Sequence, residues 1–242
     1  MHIGLLECDH VGGRFAHIEG GYREMFAALL KPHMPDLKFT YYDACHGVLP
    51  AMPDACDAYV CTGSRYSVYD QREWIAPLGE FLRKLHEAGR PFVGICFGHQ
   101  MLAQALGGQV TRAPQGWGVG VHEMSIVGPE SWMRPGQAAC RLQYMHGDQV
   151  VSLPAEAKVL ARSEHCEIAM FRVGSTMLGI EGHPEFSAAF NEALIRARRD
   201  QIGAVTTDRA LEGVNGPTDS SVVGKWIVEF LKRTPPPSHP SP

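Results

Sequence analysis

Short apolar runs alternate with amphipathic stretches through the first hundred residues. Ile3 to Cys8 is a short apolar run and predicts a strand. Asp9 to Gly21 contains four glycines and two histidines and predicts a loop. Tyr22 to Lys31 places Met25, Phe26, Leu29 and Leu30 at helical spacing, with Pro32 and Pro35 closing the helix. Leu37 to Tyr42 and Ala58 to Cys61 predict two further strands, the second ending in Thr62-Gly63-Ser64. Trp74 to His86 gathers Leu78, Phe81, Leu82 and Leu85 on one helical face, and Gly89-Arg90-Pro91 ends it. Phe92 to Ile95 predicts a fourth strand, and Met101 to Leu106 a helix stopped by Gly107-Gly108. Strand and helix in alternation imply an α/β fold, with a parallel sheet covered on both faces. In such sheets the functional site lies at the carboxyl ends of the strands.

The pattern then changes. Gly108 to Val127 and Leu142 to Val151 predict strands with turns. Lys158 to Arg162, Glu167 to Val173 and Met177 to Ile180 continue the strand-rich stretch. Ser187 is placed to cap a helix running to about Arg199. Gly203 to Ser220 is polar and contains glycine, and predicts a loop. Val223, Trp226, Ile227 and Phe230 share a face of a final helix over Val222 to Leu231. The proline-rich tail from Thr234 to Pro240 predicts an extended or disordered end.

Candidate chemistry concentrates where the fourth strand turns into a helix, at Gly94-Ile95-Cys96-Phe97-Gly98-His99-Gln100. A cysteine flanked by glycines at a strand-to-helix turn is the thiol counterpart of a nucleophile elbow. The glycines permit the sharp turn, and the helix start favours a thiolate. A nucleophilic cysteine needs a base and an orienting group. His183 and Glu185 follow a strand and lie two residues apart, on one side of an extended segment stiffened by Pro184. Alone, that triplet also suits a simple turn. An oxyanion hole would draw on the N–H of Phe97 and on Gly63 at a neighbouring strand end, unless Gly63 only ends its strand. Gln100, one helical turn beyond Cys96, is placed to reach a substrate held at the thiol. His146-Gly147-Asp148 reads as a second His–Asp pair, a ligand-binding turn or a plain turn. His10, His17, His46, His86, His99, His122 and His165 show no clear metal spacing.

A chain of 242 residues suits one large domain, or one domain with an appendage. With 45% apolar and 20% charged residues it can build a sizeable core. A net charge of −4 argues against nucleic-acid binding through a basic surface. No apolar run reaches membrane-spanning length, and the N-terminus lacks the pattern of a signal peptide. Seven cysteines without a C-x-x-C pair predict a reducing, cytoplasmic setting with one functional thiol.

Together these motifs resemble the class I glutamine amidotransferase domain. The resemblance rests on the elbow motif, Ala105-Leu106-Gly107-Gly108 after its helix, and Gly182-His183-Pro184-Glu185. His146-Gly147-Asp148 is similar to the glutamine-site turn of the GMP synthetase branch. Gly116-Trp117-Gly118-Val119-Gly120 resembles plant-type γ-glutamyl peptidases, which are free-standing. The resemblance implies a three-layer sandwich with a mainly parallel, flavodoxin-like sheet over residues 1–200. Residues 201–242 would then be a loop, helix and proline-rich tail packed on that domain or extending from it. It implies that Cys96 attacks a γ-glutamyl carbonyl to form a thioester, with His183 as base and acid and Glu185 orienting it. Gly63 and Phe97 would hold the oxyanion, and Gln100, His146, Gly147 and Asp148 would bind the substrate. The segments Asp9 to Gly21 and Arg65 to Asp70 would shape the acceptor side. No metal or organic cofactor is implied. The substrate would be glutamine or another γ-glutamyl compound, with no nucleic acid or membrane as partner. The family's oxyanion loop is often Gly-Gly-Pro, where this chain has Thr62-Gly63-Ser64-Arg65. No synthetase domain or P-loop-like sequence follows. A free-standing hydrolase, a glutaminase subunit for a separate synthetase, another elbow-cysteine hydrolase or acyltransferase on the same fold, and a silent binding module of the fold are therefore the readings carried forward.

Overall fold

The computed structural model describes residues 1–232. The chain begins with β1 (His2–Leu6), α1 (Gly13–Glu19), α2 (Tyr22–Leu30), β2 (Lys38–Tyr42) and β3 (Ala58–Cys61). It continues with α3 (Ile75–Glu87), β4 (Phe92–Ile95) and α4 (Phe97–Ala105). A strand-rich middle follows: β5 (Gln109–Arg112), β6 (Gly118–Ile126), β7 (Ala139–His146), β8 (Asp148–Ser152), β9 (Ala157–Ser163), β10 (Met170–Val173) and β11 (Met177–Ile180). Four helices close the described chain: α5 (Ala188–Ala197), α6 (Arg199–Ile202), α7 (Ala204–Gly213) and α8 (Ser220–Lys232).

The main sheet has nine strands in the order β2-β1-β3-β4-β11-β10-β9-β6-β7. The first five are mutually parallel. From β11 onward each neighbour is antiparallel, so β9 and β7 regain the common direction and only β10 and β6 oppose it. The expected mainly parallel α/β sandwich is therefore present, and β5 and β8 form a separate antiparallel pair.

Alternation along the strands assigns side chains to the two faces. Ile3, Leu5 and Val60 enter one core with α2 and α8, which supply Phe26, Leu30, Val223, Trp226 and Ile227. Leu6, Tyr59 and Cys61 enter the opposite core with Leu78, Phe81, Leu82 and Leu85 of α3 and Met101 and Leu102 of α4. Burial on both faces explains why these strands read as unbroken apolar runs.

Two expected loops contain helices. Within Asp9 to Gly21, α1 packs Phe15 and Ile18 toward α5, with the Phe15 ring edge-on to Phe190 at 6.3 Å. Its flanking glycines hid a seven-residue helix held by tertiary packing rather than propensity. Within Gly203 to Ser220, α7 buries only Thr207 and Ala210 while Val205 faces solvent, so its apolar stripe is too thin to show as a period. Ala210 packs against Gly120, where an added Cβ would lie 3.3 Å from its backbone. The expected tail from Thr234 to Pro240 lies outside the described residues. No helix among the described residues is long and apolar enough to cross a membrane.

Candidate active site

The turn between β4 and α4 is built by exclusion of side chains. A Cβ on Gly94 would lie 2.3 Å from the backbone C and O of Gly98, and one on Gly98 would lie 2.8 Å from the Cys61 carbonyl. Only glycine lets the helix start so close to the sheet. Between them Cys96 adopts φ 49° and ψ −102°, and no other non-glycine residue among those described has a positive φ. Backbone strain at a cysteine on a helix start is the geometry a nucleophile elbow requires.

The neighbouring strand brings the second group. Ile180 lies beside Ile95 in register, and the Cys96 N–H donates to the Ile180 carbonyl at 2.8 Å. The chain leaving β11 therefore passes along the elbow. His183 is fixed by its N–H to the Gln143 carbonyl (2.7 Å) and by stacking on Phe186 at 3.9 Å between ring centres. Its Nδ1 bonds Glu185 Oε1 at 2.8 Å, which makes Nδ1 the donor and leaves Nε2 able to accept a proton. Gly63 backs onto this imidazole, since a Cβ there would meet His183 Cε1 at 2.8 Å.

The electrostatics disfavour a resting thiolate. Burial pushes the Cys96 thiol well above its ordinary range, and the Glu181 and Glu185 carboxylates push it the same way. The Phe97 N–H works against them. Glu181 is a residue that reading the sequence missed. It is fully buried, and burial pushes its carboxyl well above the usual range, with Gln100 and the Cys96 thiol opposing. Gln100 Nε2 donates to Glu181 Oε1 (2.9 Å) and to the Asp148 carbonyl (3.0 Å), so it ties α4 to β11 and to the start of β8. His99 is fully buried against Phe171, with its Nε2 3.5 Å from Glu181 Oε2, and burial lowers it to about 3.

His146 Nδ1 bonds the Asp148 carbonyl at 2.8 Å, and burial lowers this ring to about 3 as well. The Asp148 carboxylate accepts from the Ser67 hydroxyl and from the Tyr69 hydroxyl at 2.8 Å, with Arg112 at 3.8 Å. Gly147 is the hinge between β7 and β8, facing the Arg112 guanidinium.

Some of these groups share one cavity of about 300 Å³. Cys96, Phe97, Gln100, His146, Gly147 and Asp148 line it, together with Arg112 and Arg198. His183, Glu185 and Gly63 are not among its lining residues. The two arginines were not anticipated: Arg112 ends a short strand and Arg198 follows a helix, positions that read as solvent-facing charge. A second cleft of about 460 Å³ adjoins the first, and Arg65, Tyr66, Trp117, Arg198 and Gln201 line both. Asp9 reaches this wall by bonding Arg65 Nε at 2.8 Å. The two segments expected on the acceptor side thus meet here.

A family model described as glutamine amidotransferase class-I matches residues 66–198, more than half of the chain. The chain belongs to the class I glutamine amidotransferase family. It is 30% identical over 228 residues to γ-glutamyl peptidase 4 of Arabidopsis thaliana, covering 89% of each chain. It is also 30% identical over 200 residues to the glutamine-hydrolysing GMP synthase of Porphyromonas gingivalis, covering 72% of this chain but 38% of that protein. The crystal structure of a glutamine amidotransferase from Thermotoga maritima superposes with a TM-score of 0.72 at 24% identity, covering 96% of this chain and 97% of that one. In this chain the candidate site lies at the carboxyl ends of β3, β4 and β11.

Proposed function

We propose that this amidotransferase-family chain is a free-standing cysteine hydrolase of γ-glutamyl bonds. The observation that carries the reading is the pair of adjoining clefts. The smaller one holds the strained Cys96, and the larger one offers room for a leaving group bigger than ammonia. The likeness to a γ-glutamyl peptidase over 89% of each chain supports it.

In this reading Arg112, Arg198 and Asp148 surround the charged ends of the glutamyl moiety. Nε2 of His183 takes the Cys96 proton as the sulfur attacks the γ-carbonyl, because the buried thiol is protonated at rest. The N–H groups of Phe97 and Gly63 receive the developing oxyanion. The tetrahedral adduct collapses, the C–N bond breaks, and His183 returns the proton to the leaving amine. Water, deprotonated by His183, then cleaves the thioester to glutamate and restores the thiol. Glu185 holds the imidazole tautomer throughout.

The test is glutamate release by the purified chain from glutamine and from a panel of γ-glutamyl peptides. Release from the peptides in preference to glutamine is expected. Cys96→Ala should lower it by at least about 10⁴-fold, the scale of losing a covalent nucleophile, with the fold unchanged by circular dichroism. His183→Ala should lose more than Glu185→Ala, because Glu185 only orients. Undiminished release in Cys96→Ala would sink the assignment. Release from glutamine alone would favour the second reading, a glutaminase that feeds ammonia to a separate synthetase, which the match to part of a GMP synthase supports.

A further inference from the structure

Outside the catalytic cavity, four side chains of metal-binding type converge beyond the carboxyl ends of β1 and β2. They are His10, Asp43, Cys45 and His46, and their ligand atoms all lie within 4.8 Å of one another. This is the one group of its kind among the described residues. Reading the histidines by spacing alone missed it, because His10 is far in sequence from the Asp43-x-Cys45-His46 cluster.

Three donors point at a single oxygen. Asp43 Oδ1 receives His10 Nε2 at 3.0 Å, His46 Nδ1 at 2.9 Å and Cys45 Sγ at 3.3 Å. One carboxylate oxygen offers about two lone-pair sites, so three donors crowd it. A cation in the middle would replace the shared protons and relieve that crowding. The separations also suit a metal. Bonds of roughly 2.0–2.3 Å to nitrogen, oxygen and sulfur place tetrahedral ligands about 3.3–3.6 Å apart. Four of the six separations run from 2.9 Å to the 3.7 Å between Cys45 Sγ and His46 Nδ1, and the two from His10 to Cys45 and His46 lie within 4.8 Å. The His10 and His46 rings are stacked at 5.5 Å, and both are exposed enough to adjust by a few tenths of an ångström.

The scaffold is preorganised. Asp43, Cys45 and His46 sit on one short 3₁₀ turn whose N–H groups at His46 and Val48 both bond the Asp43 carbonyl, with Gly47 closing it at φ 81°. The Cys45 N–H bonds the Glu7 carbonyl just beyond β1 (3.0 Å), which fixes the turn to the sheet.

We propose that His10, Asp43, Cys45 and His46 form a four-coordinate site for a zinc-class divalent cation. Two imidazoles, one thiolate and one carboxylate match the borderline ligands that Zn²⁺ and Co²⁺ take in tetrahedral geometry. Four protein ligands fill the coordination sphere, so the site is structural. The Cys45 thiol loses its proton to solvent as the metal–sulfur bond forms. The ion would clamp the segment after β1 to the turn after β2. Arg65 Nη2 bonds the His10 carbonyl at 3.1 Å, so the clamp abuts the wall of the second cleft. The inference stands apart from the proposed hydrolysis and does not depend on it.

Cobalt titration of the metal-stripped full chain tests it. One equivalent of Co²⁺ should give a thiolate-to-cobalt charge-transfer band with tetrahedral visible absorption, and Zn²⁺ should bleach both. Cys45→Ser should abolish the charge-transfer band, whereas Cys96→Ala should keep it. His10→Ala and His46→Ala should each weaken binding at least as much as the roughly 10- to 100-fold that loss of even a supporting group costs a metal site. These exposed side chains can be removed without disturbing the core, and circular dichroism checks each variant. The proposal is overturned by absence of the band, by its persistence in Cys45→Ser, by its loss in Cys96→Ala, or by unchanged affinity in His10→Ala.

Discussion

Cys96 is held in conflict with its surroundings, a conflict that the covalent mechanism proposed above would use. Its backbone occupies a region that side chains avoid, and its thiol is buried beside two carboxyl groups. Glu181 sharpens this. Its protonated form is favoured by burial, so folding retains a proton that the unfolded chain releases above about pH 4.5. A folded state that binds more protons than the unfolded one loses stability as pH rises. Glu181→Gln removes that titration while keeping an acceptor for Gln100. The variant should therefore melt above the parent at neutral pH, with a flatter stability profile. Thermal unfolding between about pH 5 and pH 8 measures this, and a parent profile that rises with pH would contradict the protonated assignment.

At the scale of elements, the elbow depends on the contact between β4 and α4. The missing Cβ of Gly94 lets Gly98 approach the sheet, and the missing Cβ of Gly98 lets the helix rest on the end of β3. Backbone atoms cannot move aside as a flexible side chain does. Gly94→Ala should thus destabilise the fold by about 3 kcal/mol or more, the upper part of the range for overpacking. Denaturant unfolding reads the loss, and a cost under about 1 kcal/mol would mean that the elbow is not tightly packed. The strands β1, β3, β4 and β11 and the helices α2, α3, α4, α5 and α8 were legible because each buries an unbroken run or a broad stripe. The helices α1 and α7 were not legible. Each presents only a pair of side chains to neighbours distant in sequence, and no local period records those neighbours.

Over the whole molecule, the last described helix completes the core begun by the first strand. Trp226 of α8 is buried in the core cluster that also holds residues of β1, α2 and β4, and its indole N–H donates to the Pro135 carbonyl at 3.0 Å. Trp226→Ala should cost about 3–5 kcal/mol, the range for removing a large buried ring. The loss should appear as one cooperative shift of the unfolding midpoint. A separate early transition for α8, with the remainder unshifted, would show that the helix is only an appendage.

The chain by itself determined the α/β alternation, the strand-to-helix turn at Cys96 and the pairing of His183 with Glu185. Each of these is written in neighbours within a few positions: apolar runs, glycines flanking a cysteine, an alternation of two. The three-dimensional arrangement alone decided that Glu181 lies buried against the thiol and that Arg112 and Arg198 face one cavity. It also decided that His10 meets a turn thirty-three residues further along. The physical reason is the same in all these cases. A buried carboxylate, a cleft-lining arginine and a surface histidine are chemically ordinary in sequence. Their roles come from desolvation and from partners that strand order brings together across the sheet.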